Sequence, residues 1–144
     1  MEVSRRARRE GATNLAFALG RWEDLPGPFA GMVNSLSVLF PWGSLFRAVL
    51  SAEQPFVHAV RCLLKSDACF TVVTAVDGAA DAGELRRLGL EHCDVARTAE
   101  RWRRAGFIST SLEALPPEHE YQTTWWRKIR QREGRIATRL ILTR

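Results

Sequence analysis

Five residues, FPWGS from Phe40 to Ser44, constrain the fold of this chain more than any other stretch. Apolar side chains alternate with polar ones up to Phe40, with Leu36 and Val38 in phase, which predicts a buried strand. Pro41 has no N–H to donate, so pairing of that strand should end there. A helical pattern begins after Ser44, which is a candidate N-cap.

Trp42 therefore lies in a stiff Pro–Gly turn between a strand and a helix. In open α/β sheets, ligands bind at the rim formed by the carboxyl ends of the strands. An indole held at that rim is predicted to be a stacking platform.

The remaining pattern alternates strands with helices, which favours an α/β sheet that is parallel at first. A chain of 144 residues without repeats or linkers is expected to form one domain over residues 1–144. The predicted strands cover 15–19, 34–40, 69–75, 107–112 and 136–142, and the predicted helices cover 44–64 with a break near Pro55, 84–88, 95–105 closed by Gly106 as C-cap, and 118–131.

Several classes of protein do not fit the composition. No run of 18 or more apolar residues is present, and the charged N-terminus lacks the apolar core of a signal peptide. An odd number of cysteines without C-x-x-C spacing favours reduced, mostly buried thiols in the cytoplasm: Cys62, Cys69 and Cys93. The histidines show no ligand spacing either, so no metal site is expected: His58, His92 and His119.

Basic residues are concentrated near the two ends of the chain, which has a net charge of +5. Trp125 and Trp126 directly precede the second cluster. Cations beside exposed aromatic rings are typical of RNA recognition, in which phosphates are neutralised and bases stack. A solvated helix face beside a core Trp explains the same composition equally well. The clusters are Arg5, Arg6, Arg8 and Arg9, and then Arg127, Lys128, Arg130, Arg132, Arg135, Arg139 and Arg144.

Four motifs together resemble one known family. They are EDLP at 23–26, LFPWGS at 39–44, GF at 106–107, and TTW at 123–125 followed by RKI at 127–129. The set resembles the 16S ribosomal RNA adenine-N1 methyltransferases that confer kanamycin and apramycin resistance, over essentially the whole chain.

The resemblance implies a class I S-adenosylmethionine (SAM)-dependent methyltransferase fold, with a Rossmann-like sheet. Its strand order would be 3-2-1-4-5-7-6, with strand seven antiparallel. Residues 15–19 would match the third strand, so the first two strands would be missing, and the chain contains no G-x-G cofactor loop. The strand ending at Phe40 would then have an open edge, filled by residues 15–19 or by a partner.

The same resemblance implies residue roles. Trp22 and Glu23 would lie beside the adenine of SAM. Trp22 stands where the family usually has a small residue, and its larger ring would crowd the adenine pocket. Leu39 and Ser44 would flank the cofactor, and Thr123 would approach its amino-acid end. Trp42 and Trp125 would sandwich a flipped adenine. The RNA-docking face would comprise Arg5, Arg6, Arg86, Arg87, Arg127, Lys128, Arg130, Arg132 and Arg135.

The expected activity is methylation of N1 of the decoding-site adenine of 16S rRNA, giving aminoglycoside resistance. Neutral N1 is already a nucleophile, so clamping the base can replace a general base. The expected partner is the small ribosomal subunit in the cytoplasm, with no membrane or metal, and the protein would be a monomer once the missing strands are present. Two alternatives are an rRNA-binding fragment without chemistry and another class I RNA methyltransferase, such as a tRNA guanine-N7 enzyme.

Overall fold

The computed structural model describes residues 11, 14–15, 19–25, 27–76, 79–90, 95–115 and 137–144. Two 3-10 turns come first, at Trp22–Asp24 and Gly27–Phe29. The regular elements are β1 (Val33–Leu39), α1 (Gly43–Ser51), α2 (Gln54–Leu63), β2 (Leu64–Ala75), α3 (Ala82–Arg87), α4 (Val95–Arg104), β3 (Ile108–Leu115) and β4 (Ala137–Thr143).

The strands form one mixed sheet in the order β1-β2-β4-β3. β1 and β2 are parallel, whereas β4 runs antiparallel to both β2 and β3. This arrangement is the 4-5-7-6 half of the order that the family resemblance implied, including the antiparallel last strand. The predicted α/β fold is therefore confirmed.

The main core lies between one face of the sheet and helices α1, α2 and α4. Phe56 of α2 and Trp102 of α4 are buried there against Phe70 of β2, with ring centroids 4.9 to 6.4 Å apart. Phe70 and Val72 point to this face because side chains alternate along a strand. The helices are thus fixed to the sheet by a contiguous aromatic cluster.

The end of α4 confirms a prediction made from one glycine. Gly106 has φ +89, and its N–H donates to the carbonyl of Arg103. The N–H of Phe107 donates to the carbonyl of Trp102 at 3.1 Å, which completes a Schellman-type helix end. Phe107, fully buried behind that turn, then leads directly into β3.

The predicted break near Pro55 in the helix over 44–64 is confirmed. The helix is interrupted at Ala52 (φ +49), and Pro55 lies in the first turn of the second helix, where its missing N–H costs nothing. The predicted start of the next strand is wrong. The second helix is followed without a loop by β2, which begins at Leu64, five residues before the predicted start of that strand.

The predicted buried strand over 15–19 is wrong at both of its ends. Leu15 is 53% exposed, Leu19 is fully exposed, and neither is in a strand. The residues between them lie outside the described part of the chain. The cysteines were also expected to be mostly buried, but Cys62 is exposed and Cys69 is half-buried.

No helix in the described ranges is long and apolar enough to cross a membrane.

Candidate functional site

The chain leaves β1 through an unusual backbone turn. Phe40 has φ +50, a left-handed conformation that is uncommon for a bulky residue. Its N–H still donates to the carbonyl of Val73 at 2.8 Å, and its ring is buried against Val73, Ala75 and Leu115. Pro41, also buried, has no N–H to continue the ladder. Pairing therefore ends where the sequence predicted, and packing of the Phe40 ring holds the turn.

Trp42 is presented at the end of that turn, as predicted. It occupies the N-cap position of α1 with extended backbone (φ −140, ψ 161), and its side chain is 51% exposed. Its indole is stacked on Phe46, with an interplanar angle of 21° and ring centroids 6.1 Å apart. Phe46 is itself almost fully buried. The indole is thus supported from below and accessible to a planar ligand.

Ser44 is not the N-cap that the sequence suggested. The helix already begins at Gly43, so Ser44 lies in its first turn with its side chain exposed. Leu39, the last residue of β1, is 40% exposed. An exposed hydroxyl and an exposed aliphatic side chain therefore border the Trp42 turn on either side.

Trp22 and Glu23 belong to the first 3-10 turn. The indole of Trp22 packs edge-on against Phe56, with centroids 5.2 Å apart, and joins the main core. Its Nε1 is buried without an acceptor among the described residues. Glu23 is exposed and accepts a hydrogen bond from Arg21 at 3.2 Å. A bond from its own backbone N–H, followed by the bond from Arg21, lowers the pKa of Glu23.

The exposed groups among these residues fit part of a SAM site. The indole N–H of Trp22 has no acceptor among the described residues, but it is buried in the packing against Phe56, so it is closed to a ligand in this conformation. Leu39 offers apolar contact and Ser44 a hydroxyl, while Glu23 offers a carboxylate to ribose or amine groups. The glycine-rich turn expected for the rest of the cofactor has no counterpart in the sequence.

Two side chains of the predicted RNA face lie on α3. Both Arg86 and Arg87 are exposed. The guanidinium of Arg87 donates two hydrogen bonds to Glu84, at 2.6 and 2.7 Å, and Arg86 Nε donates to the carbonyl of Ala82. The other predicted site residues lie outside the described part of the chain: Arg5, Arg6, Thr123, Trp125, Arg127, Lys128, Arg130, Arg132 and Arg135.

Side chains of α4 that the sequence analysis did not single out anchor the helix that follows Trp42. Trp102 Nε1 donates to the carbonyl of Val49 at 2.8 Å. Arg101 and Thr98 both donate to the carbonyl of Leu50, at 2.8 and 3.3 Å. These acceptors are in the last turn of α1, where carbonyls lack the i+4 helical partner, although the carbonyl of Val49 also accepts from the N–H of Ala52 at 3.4 Å. The spacing of Thr98, Arg101 and Trp102 places the three side chains on one face of a helix. Their acceptors could not be predicted, because they are backbone carbonyls 48 to 53 residues away.

Within the described ranges, no group of three or more His, Cys, Asp or Glu side chains could hold a metal ion.

Comparison with known proteins decides the family. The sequence model of NpmA, a 16S rRNA (adenine(1408)-N(1))-methyltransferase, matches residues 1–143. The chain belongs to this family. The motif at Phe40 to Ser44 and the sheet order are thus features of an adenine-1408 N1-methyltransferase family member, and the resemblance inferred from sequence is confirmed.

Among curated relatives, the chain is similar to the 16S rRNA (adenine(1408)-N(1))-methyltransferase of Escherichia coli, with 28% identity over 135 residues. The match covers 89% of this chain and 62% of that protein. The enzyme of the same name from Streptoalloteichus hindustanus is 29% identical over 132 residues, covering 88% and 60%. The chain therefore spans about three fifths of the length of these relatives.

Solved structures support the same assignment. The aminoglycoside resistance methyltransferase NpmB1 is 31% identical, with a TM-score of 0.66 over 86% of this chain and 58% of that one. The 16S rRNA methyltransferase KamB is 24% identical, with a TM-score of 0.79 over 99% and 71%, which shows a shared fold. Another neighbour, a 16S rRNA (adenine(1408)-N(1))-methyltransferase mutant from Catenulisporales acidiphilia, was solved with the cosubstrate SAM. It is 18% identical, with a TM-score of 0.60 over 86% of this chain and 58% of that one, which shows a shared fold.

Proposed function

We propose that this chain carries the adenine-recognition part of a SAM-dependent methyltransferase acting on N1 of adenine 1408 in 16S rRNA, which would give aminoglycoside resistance. The observation that carries the proposal is the position of Trp42. It is half exposed, stacked on a buried Phe46, and held at the carboxyl end of β1. An aromatic platform at that rim suits a base taken out of its helix.

Methylation of N1 needs no general acid or general base. The lone pair of neutral N1 lies in the plane of the adenine ring, so a ring held flat on Trp42 presents N1 sideways. SAM, when bound, would supply a methyl group activated by the positive charge of its sulfonium. The contribution of the chain is then to fix the base, to shield the site from water, and to align it.

Thr123 and Trp125 complete this proposal. Trp125 would cover the second face of the base, and Thr123 would contact the amino-acid end of SAM, beside Leu39 and Ser44. Glu23 and the Trp22 ring would lie beside the adenine end of SAM, with Trp22 Nε1 itself buried against Phe56. Two stacked rings, each worth about 1–3 kcal/mol, would hold the base firmly enough to limit its rotation.

The docking partner in this proposal is the small ribosomal subunit in the cytoplasm. Exposed Arg86 and Arg87 support a basic face there, to be completed by Arg5, Arg6, Arg127, Lys128, Arg130, Arg132 and Arg135. We further propose that residues 1–144 act as one methyltransferase-like domain, monomeric when the strands preceding β1 in the family fold are supplied. Phosphate contacts make such docking strongly salt-dependent.

A methylation assay on isolated small subunits tests the proposal. Methyl transfer at N1 blocks base pairing, so reverse transcription should stop at adenine 1408. The chain is assayed alone and in a chimera that supplies the part of the Escherichia coli relative outside the matched region. A stop with the chimera that disappears without SAM supports the proposal, and a chimera that folds and binds subunits but produces no stop contradicts it.

A second function, rRNA binding without chemistry, is favoured by one observation: the sequence has no G-x-G loop. Isothermal titration of SAM into the chain alone separates the two. Binding weaker than millimolar, corresponding to less than about 4 kcal/mol, supports rRNA binding without chemistry by residues 1–144 alone. A micromolar constant, about 8 kcal/mol, would show that the chain holds the cofactor by itself.

A further inference from the structure

An open cleft of about 640 Å³ lies at the amino-terminal end of β2. Since β1 and β2 are parallel, this end of the sheet is opposite the rim that presents Trp42. Two cations and a hydroxyl contribute to its lining, a donor set typical of phosphate sites. The lining residues are Gly31, Leu64, Lys65, Ser66 and Arg144.

A large bulge in β2 brings Lys65 and Ser66 to the cleft. Val33 pairs with Leu64 and Ser35 pairs with Cys69, so one residue of β1 faces four residues of β2, 65 to 68. Within this bulge Asp67 has φ +62, and Lys65 and Ser66 are exposed. Bulges redirect side chains away from the ladder, and they are often retained for that purpose.

Arg144 is fixed in an orientation that leaves donors available. Its Nη1 donates to the carbonyl of Arg61 at 2.9 Å and to that of Leu64 at 2.6 Å. A guanidinium has five N–H donors, of which Nη1 supplies two. In the described part of the chain, Nε and Nη2 of Arg144 have no acceptor. These two nitrogens form the fork that binds two phosphate oxygens at once, and the side chain is already ordered.

The local charge also favours an anion. Neither Lys65 nor Arg144 forms an ion pair with any described carboxylate, and neighbouring Arg61 donates to the carbonyl of Ala105. The acidic side chain on the bulge is Asp67, and Arg144 as the last residue of the sequence carries an α-carboxylate, so three cations lie against two anions around the cleft. Uncompensated cations at a concave surface concentrate anions there.

We propose that this cleft is a phosphate-binding site, in which the Nε/Nη2 fork of Arg144, the ammonium of Lys65 and the hydroxyl of Ser66 hold one phosphate group. The phosphate can belong to an RNA backbone or to a small molecule such as a mononucleotide. The inference is independent of methyl transfer, because the cleft is at the other end of the sheet from Trp42. A chain with no methylation activity would still bind phosphate here.

The test compares three variants of the whole chain. Lys65→Gln is the main variant. The Lys65 side chain has no hydrogen bond to any described residue, so loss of its ammonium group should not affect folding. Arg144→Gln removes the fork. Arg104→Gln is the matched control, since it removes the same charge from an exposed side chain that already pairs with Glu100. Thermal melting checks that all three are folded.

Two probes distinguish the sources of the phosphate. The first probe is a fluorescein-labelled, ten-nucleotide single-stranded RNA, whose binding is measured by fluorescence anisotropy across a salt series. The second probe is adenosine monophosphate or inorganic phosphate, whose binding is measured by NMR of the arginine side-chain N–H groups. If RNA is the ligand, Lys65→Gln and Arg144→Gln each weaken RNA binding at least about fivefold and lower the salt slope by about one, whereas Arg104→Gln stays within about twofold.

If a small phosphate is the ligand, it shifts the Arg144 Nε–H signal saturably, and Lys65→Gln weakens that binding while RNA affinity is unchanged. The proposal is overturned if both variants match Arg104→Gln with every probe.

Discussion

The indole of Trp42 lies 6.1 Å from the ring of Phe46 and only 21° from parallel with it. Trp42 precedes the first turn of α1, and the buried Phe46 lies one turn further along. Stacked aromatic rings at this separation attract each other beyond their burial. One face of the exposed indole is therefore held by the core, so that a base could stack on a ring whose orientation is already set.

Two tryptophans that both contact Phe56 should lose different amounts of stability on the same substitution. Trp102→Phe removes the N–H that bonds the carbonyl of Val49 and leaves a gap in the core, so unfolding free energy should fall by about 2 kcal/mol or more. Trp22→Phe removes an indole N–H that has no acceptor among the described residues, so the change should stay within about 0.5 kcal/mol. Urea unfolding measures both. Equal losses would show that lost ring volume, and not the hydrogen bond, sets the cost.

Two glycines provide a second opposed pair. Gly106→Ala places a side chain at φ +89 and a Cβ 2.9 Å from Arg61 Nη1, so stability should fall by about 1 kcal/mol or more. Gly83 lies inside α3 with open space around a new Cβ, so Gly83→Ala should raise stability by about 0.5–1 kcal/mol. Thermal melting of the two variants shows whether each substitution raises or lowers stability. A stabilising Gly106→Ala would contradict the left-handed helix end described for α4.

Acid should weaken α4 through one carboxylate. Hydrogen bonds, first from Arg103 and then from Arg104, lower the pKa of Glu100. The ordinary value of about 4.3 applies to the unfolded chain. Since the folded pKa is below the unfolded one, the stabilisation is present above about pH 4.3 and is lost as pH falls through the folded value.

Glu100→Gln should therefore destabilise the protein at pH 7, and the difference from wild type should be smaller at pH 3. Urea unfolding at the two pH values compares wild type with the variant, because urea does not screen exposed ion pairs as guanidinium salts do. If Glu100→Gln lowers the free energy of unfolding by the same amount at pH 7 and pH 3, the ion pairs of Glu100 contribute nothing to stability and the substitution acts in another way.

Regular elements were predictable where the local pattern agrees with the tertiary environment. The alternation before Phe40, the β-branched run from Thr71 to Val73, and Gly106 after α4 each specify their structure over a few residues. Pro41 likewise ends β1 for a purely local reason, the absence of an N–H. The family motif around Trp42 was readable for the same reason, because its residues are contiguous.

Features that depend on distant contacts were not predictable. β2 begins at Leu64 because β1 and the end of α2 place that residue in the core, although Lys65, Ser66 and Asp67 are polar and look like a loop. Ser44 was expected to cap α1, but the left-handed φ of Gly43 already turns the chain into the helix. The anchors from α4 bond carbonyls, which have no sequence signature.

In the proposed function, Trp42 positions the target adenine and does not stabilise the fold or dock the ribosome. The most direct test of this claim is methylation of small subunits by the chimera carrying Trp42→Ala or Trp42→Phe, with subunit affinity and melting temperature measured on the same samples. Losing a base–aromatic stack of about 1–3 kcal/mol predicts at least about a tenfold slower methylation for Trp42→Ala, with subunit affinity within about twofold. Trp42→Phe should recover much of the rate because it keeps an aromatic face on Phe46. Loss of subunit affinity in parallel with methylation, or a Trp42→Ala variant that unfolds, would contradict the claim.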